Sequence, residues 1–156
     1  MNTFFIMKIF LIGFMGAGKT FIGKKLAAEL NLPFYDLDKE LEKKAAITIE
    51  QIFIQLEEPF FREIESGLLL NLNKDGIAAT GGGIVEKAEN RYFLKNNKII
   101  SIWLNPIWKT IEKRIILSAR PLVKKLSTSE IKKLWQNRLP LYKECSDLVI
   151  SKENER

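Results

Sequence analysis

Residues 13–20 read Gly13-Phe14-Met15-Gly16-Ala17-Gly18-Lys19-Thr20, a complete G-x-x-x-x-G-K-[ST] phosphate loop. Small residues at these spacings let successive backbone N–H groups converge on a polyphosphate, and a following helix points its positive end at the same oxygens. The motif assigns Lys19 to the β- and γ-phosphates and the Thr20 hydroxyl to Mg²⁺. Ahead of it runs the apolar, β-rich stretch Ile6-Met7-Lys8-Ile9-Phe10-Leu11-Ile12, which predicts a buried strand with residues 1–5 as a short extension. Behind it, Ile22, Leu26, Ala27 and Leu30 recur at helical spacing. Strand, glycine loop, helix is the order such a site requires.

The chain has 156 residues, the size of one domain, so 1–156 is read as a single unit with a real core. Its 46% hydrophobic and 28% charged content is ordinary for a globular protein. There is no histidine, which excludes His-based triads, His-ligated metals and imidazole acid–base chemistry. The lone Cys145 forms no internal disulfide and fits a reducing compartment, so a cytoplasmic location is expected. Residues 4–15 are almost wholly apolar, but no basic residue precedes them and they run straight into the phosphate loop, unlike a signal peptide. No stretch reaches the roughly 18 apolar residues of a membrane span.

The net charge of +6 is unevenly placed: residues 1–90 carry 10 basic and 13 acidic side chains, residues 91–156 carry 15 and 6. A basic half suits RNA, a membrane surface or small anions. Aromatic and basic residues are not interleaved densely enough for a base-stacking surface, so neither nucleic acid nor membrane is expected as a partner.

Strand and helix patterns alternate along the rest of the chain. Short strands are predicted at 32–36, 76–79, 98–104 and 148–150. Helices are predicted at 39–46, at 49–56 with Thr48 and Glu50-Gln51 as a start signal, at 59–72, at 86–96, from Pro106, and from Thr128 until Pro140. Residues 114–126 are basic, carry Pro121 and are expected to be a mobile lid. This alternation predicts an α/β fold with a parallel sheet covered on both faces and ligands at the carboxyl ends of its strands.

Several constellations fit a site beside the loop. Asp36-Leu37-Asp38 ends the second strand, where residues two apart face the same way, so both carboxylates could address Mg²⁺ and an acceptor hydroxyl. Asp38 as a helix N-cap is an equal alternative. Arg62 and Glu65 share a helix face; they are either an exposed pair or an acid holding a guanidinium for a substrate carboxylate. Gly81-Gly82-Gly83 suits close backbone approach. Arg120 in the lid could stabilise the γ-phosphate, and Arg138 could reach a second oxygen of an acid.

Taken in order, these stretches resemble shikimate kinases. The phosphate loop, Asp36-Leu37-Asp38, Phe61-Arg62-Glu63-Ile64-Glu65, Gly81-Gly82-Gly83, Arg120-Pro121-Leu122 and Arg138-Leu139-Pro140-Leu141-Tyr142 are similar to that family's phosphate loop, D-x-D, F-R-x-x-E, triple glycine, R-P-L lid and R-x-P-L-Y segments. The resemblance implies a P-loop NTPase fold of the nucleoside-monophosphate-kinase type, five parallel strands ordered 2-3-1-4-5. It implies an ATP-dependent kinase with an alcohol acceptor, phosphorylating the 3-hydroxyl of shikimate on the way to chorismate and the aromatic amino acids. Asp38, Arg62, Gly82 and Arg138 would bind shikimate, within a region spanning about 36–65. Gly16, Ala17, Gly18, Lys19, Thr20, Phe21 and Arg120 would hold ATP; Thr20 and Asp36 would serve Mg²⁺; Asp38, Lys19 and Arg120 would be catalytic. ATP and shikimate are the expected partners of a monomer.

The chain departs from that family in three places. Glu57-Glu58 stands where a Gly-Glu pair is usual, with Pro59 after it. Arg114 lies six residues before Arg120, one fewer than the family's adenine-stacking arginine. Little follows the last strand, which implies a more open base pocket. Alternatives sharing the loop are gluconate or nucleoside-monophosphate kinases and a nucleotide-dependent binding protein. Asn97-Lys98-Ile99-Ile100 lacks the aspartate of a guanine signature.

Overall fold

The computed structural model describes residues 7–151, so the 1–5 extension lies outside the described residues. In chain order the elements are β1 (Lys8–Ile12), α1 (Lys19–Leu30), β2 (Phe34–Asp36), α2 (Leu37–Ala45), α3 (Ile49–Gln55), α4 (Glu57–Leu70), β3 (Gly76–Ala79), α5 (Ala88–Leu94), β4 (Ile99–Leu104), α6 (Trp108–Ile116), α7 (Pro121–Lys125), α8 (Thr128–Cys145) and β5 (Leu148–Ile150). The strands form one sheet in the order β2-β3-β1-β4-β5 with every neighbouring pair parallel. This is the order that the resemblance implied.

The central place of β1 explains the apolar run from Ile9 to Ile12. Phe10 and Ile12 enter one core with Leu69, Leu94, Trp103 and Tyr142, while Ile9 and Leu11 enter another with Ala27 and Ile77. Side chains alternate across a strand, so both faces of β1 must be apolar when helices cover both. A third cluster of Leu41, Ile52 and Phe61 ties α2, α3 and α4 into a flap of helices at the β2 side of the sheet.

The local signals differ in how they fared. Thr48 and Gln51 form a reciprocal capping box at α3, with Gln51 N donating to Thr48 Oγ1 at 3.2 Å and Thr48 N to Gln51 Oε1 at 2.9 Å. Helix α4 starts at Glu57 rather than Pro59, because proline is tolerated in a first turn whose N–H groups have no helical partner. Helix α5 is shorter than the predicted 86–96. Pro106 precedes α6 instead of opening it; Ile107 is the N-cap.

The largest departure is α8, which passes through Pro140 and ends at Cys145. An interior proline costs about 3 kcal/mol. Continuing the helix buries Tyr142 and Cys145 in the main core and stacks Tyr142 on Trp103, which offsets that cost. The lid region is also more regular than expected, since Pro121 occupies the first turn of α7.

Candidate active site

The phosphate loop joins β1 to α1 at the carboxyl end of the sheet. Gly16 (φ 76°) and Gly18 (φ 96°) take left-handed conformations in this turn, Gly18 as the N-cap of α1. Lys19 folds back over the loop, its Nζ donating to the carbonyls of Gly13 at 2.7 Å and Phe14 at 3.0 Å. Burial, then the Arg120 charge, hold the Lys19 ammonium down at about 7, against the opposing pull of Asp38. Arg114 Nη1 donates to the Gly16 carbonyl at 2.7 Å, so this arginine braces the loop itself.

Two adjoining cavities open there. The smaller, about 420 Å³, is lined by Gly16, Gly18, Lys19, Thr20, Phe21 and Arg114. The larger, about 640 Å³, lies between the flap of α2, α3 and α4, the triple glycine and the lid, with Arg62, Glu65, Gly82 and Arg138 in its wall. Thr20, Asp36, Asp38 and Arg120 line both. Ala17 lines neither, its methyl packing beside Ile9 and Leu11 in the core.

The two aspartates divide differently from either expectation. Asp36, not Asp38, is the N-cap of α2, accepting from Lys39 N at 3.4 Å and from Thr20 Oγ1 at 3.0 Å. Asp38 sits in the first helical turn, not on the strand, and still reaches both cavities. Burial pushes the Asp38 carboxyl above its ordinary range, although Arg120 and Lys19 pull it down.

Arg62 and Glu65 are no exposed pair. Glu65 is 3% exposed and accepts from Arg62 Nη1 at 2.8 Å, while Glu58 accepts from Arg62 Nη2 at 3.0 Å. Burial raises the Glu65 carboxyl despite Arg62 beside it, and Glu65 Oε1 has no hydrogen-bond partner among the described residues. Arg138, also 3% exposed, donates Nε and Nη2 to Glu86 Oε1 at 2.8 and 2.6 Å. Its guanidinium lies over the Phe14 ring.

The triple glycine answers to space rather than to backbone dihedral. A β-carbon on Gly81 would overlap Glu65 Oε1, and one on Gly83 would overlap the Arg62 guanidinium. One on Gly82 would stand 3.1 Å from the backbone N of Met15 in the phosphate loop. Tyr142 fixes the middle residue by donating its hydroxyl to the Gly82 carbonyl. Burial keeps that phenol protonated far above its usual range.

Sequence reasoning did not single out Glu86, nor the cavity wall formed by Ile49 and Phe53 of α3. Glu86 belongs to no motif; its position three residues after the triple glycine was the one available signal. The three tryptophans pack against aromatic neighbours, Trp103 on Tyr142 and Trp108 against Trp135.

A sequence model of the shikimate kinase family matches residues 15–156. The shikimate kinase of Dictyoglomus turgidum is 39% identical over 150 residues, covering 92% of this chain and 87% of that protein. The shikimate kinase of Enterococcus faecalis is 41% identical over 150 residues, covering 94% and 89%. A solved structure of shikimate kinase from Acinetobacter baumannii in complex with shikimate superposes with a TM-score of 0.89 at 35% identity, covering 96% of this chain and 85% of that one. With a family match and relatives of this identity spanning nearly all of both sequences, the chain belongs to the shikimate kinase family.

Proposed function

We propose that this chain transfers the γ-phosphoryl of ATP to the 3-hydroxyl of shikimate, giving ADP and shikimate 3-phosphate, a step in aromatic amino acid biosynthesis. One observation carries the reading: a phosphate-binding cavity and an arginine-lined acceptor cavity meet at Thr20, Asp36, Asp38 and Arg120. An in-line transfer needs donor and acceptor on either side of one such seam.

The acceptor's carboxylate fits Arg62 and Arg138, whose planar forks suit it better than lysines. The unpartnered Glu65 Oε1 is an acceptor for a ring hydroxyl. Asp38 takes the 3-hydroxyl proton as the oxygen lone pair attacks the γ-phosphorus and the bond to the bridging oxygen breaks, its electron pair leaving with ADP. Lys19 and Arg120 neutralise charge on the transferring group.

The Thr20 hydroxyl and the Asp36 carboxylate, 3.0 Å apart, are hard oxygen donors of the kind Mg²⁺ takes together with phosphate oxygens and water. When bound, that ion would neutralise phosphate charge and orient the donor. The same reading makes the chain a cytoplasmic monomer needing neither nucleic acid nor membrane. Among the described residues, no helix is long and apolar enough to cross a membrane.

The test is ADP release in a coupled assay with shikimate, gluconate and nucleoside monophosphates as acceptors. Shikimate-dependent release is expected. Release driven by gluconate or a nucleotide instead would overturn the assignment.

A further inference from the structure

The phosphate loop and the Arg62–Glu65 pair account for much of the site, yet the closest charged contact to Arg138 comes from outside both cavities. Glu86 lines neither of them, and it is 36% exposed where Arg138 is 3% exposed. It stands in the segment between the triple glycine and α5, and one of its oxygens receives both Nε and Nη2 of Arg138. Its other oxygen is 3.7 Å from Nε of Arg62, a nitrogen with no hydrogen bond among the described residues. One carboxylate thus stands between the two cations that share the wall of the larger cavity.

We propose that Glu86 is a positioning residue for the acceptor's carboxylate, setting the orientation and spacing of Arg138 and Arg62. This rests on the functional reading above. Two buried guanidinium groups facing one cavity repel each other, and a buried cation without a partner is costly. Glu86 screens that repulsion from behind the wall. It engages the Nε–Nη2 edge of Arg138, leaving Nη1 outside that contact on a side chain that lines the cavity. Because Glu86 lines no cavity, it does not compete with an incoming carboxylate for the same space. The pair is therefore ordered before substrate arrives, and the ordering entropy is not charged against binding.

The experiment is steady-state kinetics and calorimetric shikimate binding for wild type, Glu86→Ala, Glu86→Gln, Arg138→Ala and the double variant Glu86→Ala/Arg138→Ala, each checked for folding by circular dichroism. Glu86→Ala is expected to raise KM for shikimate by roughly tenfold, leaving KM for ATP unchanged and kcat within about threefold. Glu86→Gln keeps an oxygen in place and should fall between. In the Arg138→Ala background the Glu86→Ala change should have less than about a twofold further effect, because its partner is gone. Shikimate KM that is unchanged or lowered in Glu86→Ala and Glu86→Gln, with wild type fully active, overturns this inference alone. So does an undiminished effect without Arg138. Wild-type protein that neither binds nor phosphorylates shikimate overturns the functional reading and this inference with it.

Discussion

Lys124 on α7, within the segment expected to be a lid, pairs with Glu50 in the first turn of α3, Nζ to Oε1 at 2.6 Å, so α7 is fastened to a residue that lines the larger cavity. Lys125 beside it lies 5.8 Å from the centre of the Phe53 ring on the same helix. Both partners of the ion pair are about half exposed, which limits its worth to about 0.2–1 kcal/mol.

Breaking this latch should loosen the lid without touching the chemistry. Lys124→Ala is expected to raise KM for shikimate by up to about fivefold and to speed proteolysis within residues 116–126. Lys124→Glu combined with Glu50→Lys should restore both values. Identical protease rates in wild type and Lys124→Ala would show that the contact does not hold the lid.

Asp38 should govern the acid side of the pH profile. Its carboxyl is raised, so as pH falls it gains a proton earlier than an ordinary aspartate, and the base is lost. We expect kcat/KM to fall through an apparent pKa above 3.8, the unshifted value. Asp38→Asn should remove that limb and lower kcat by about 10²–10⁴-fold. Its thermal midpoint should equal or exceed that of wild type. A raised folded-state pKa means the charged carboxylate opposes folding, and that penalty grows as pH rises through it. Near-normal turnover in Asp38→Asn would dismiss it as the base.

ATP binding should take up a proton. In the free protein Lys19 is held near 7, so around pH 7–8 a substantial fraction is uncharged. A polyphosphate against Nζ favours the ammonium, so affinity should weaken as pH rises above 7. Calorimetry in two buffers of different ionisation heat reads the uptake directly. No net uptake at pH 7.5 would mean Lys19 is already fully protonated.

A point of backbone strain lies just upstream of Arg62. Glu57, the first residue of α4, has φ 63°, a left-handed conformation that costs a side-chain-bearing residue about 1–2 kcal/mol. Part of that gain is lost to glycine's greater freedom when unfolded. Glu57→Gly should therefore stabilise by about 0.5–1 kcal/mol, read as a higher urea midpoint with unchanged slope. A lower midpoint would show that the Glu57 side chain contributes more than the strain costs.

What was legible in the sequence shares a property: it depends on requirements within a short window. The phosphate loop needs glycines where φ turns positive and a lysine at a helix start. A sheet's central strand needs both faces apolar, and Thr48 with Gln51 satisfy each other across one helical turn. Lys19, Asp38, Arg62 and Arg138, distributed over the two adjoining cavities, were reachable because their motifs occur together in the family's order.

The rest was settled by residues far apart in the chain. Arg138 and Glu86 are 52 positions apart, and Lys124 and Glu50 are 74 apart. For these two pairs neither local spacing nor residue type says which of several carboxylates will hold the cation; the packing of α8 and α7 decides it. The same holds for Pro140, whose local effect is to end a helix, while the core beyond it needed Tyr142 and Cys145. In this protein the sequence by itself determined the backbone device that grips phosphate and the layered sheet that carries it. Tertiary structure decided that Glu86 holds Arg138 and that Glu50 holds Lys124, because that choice is made by proximity, burial and charge only once the chain has folded.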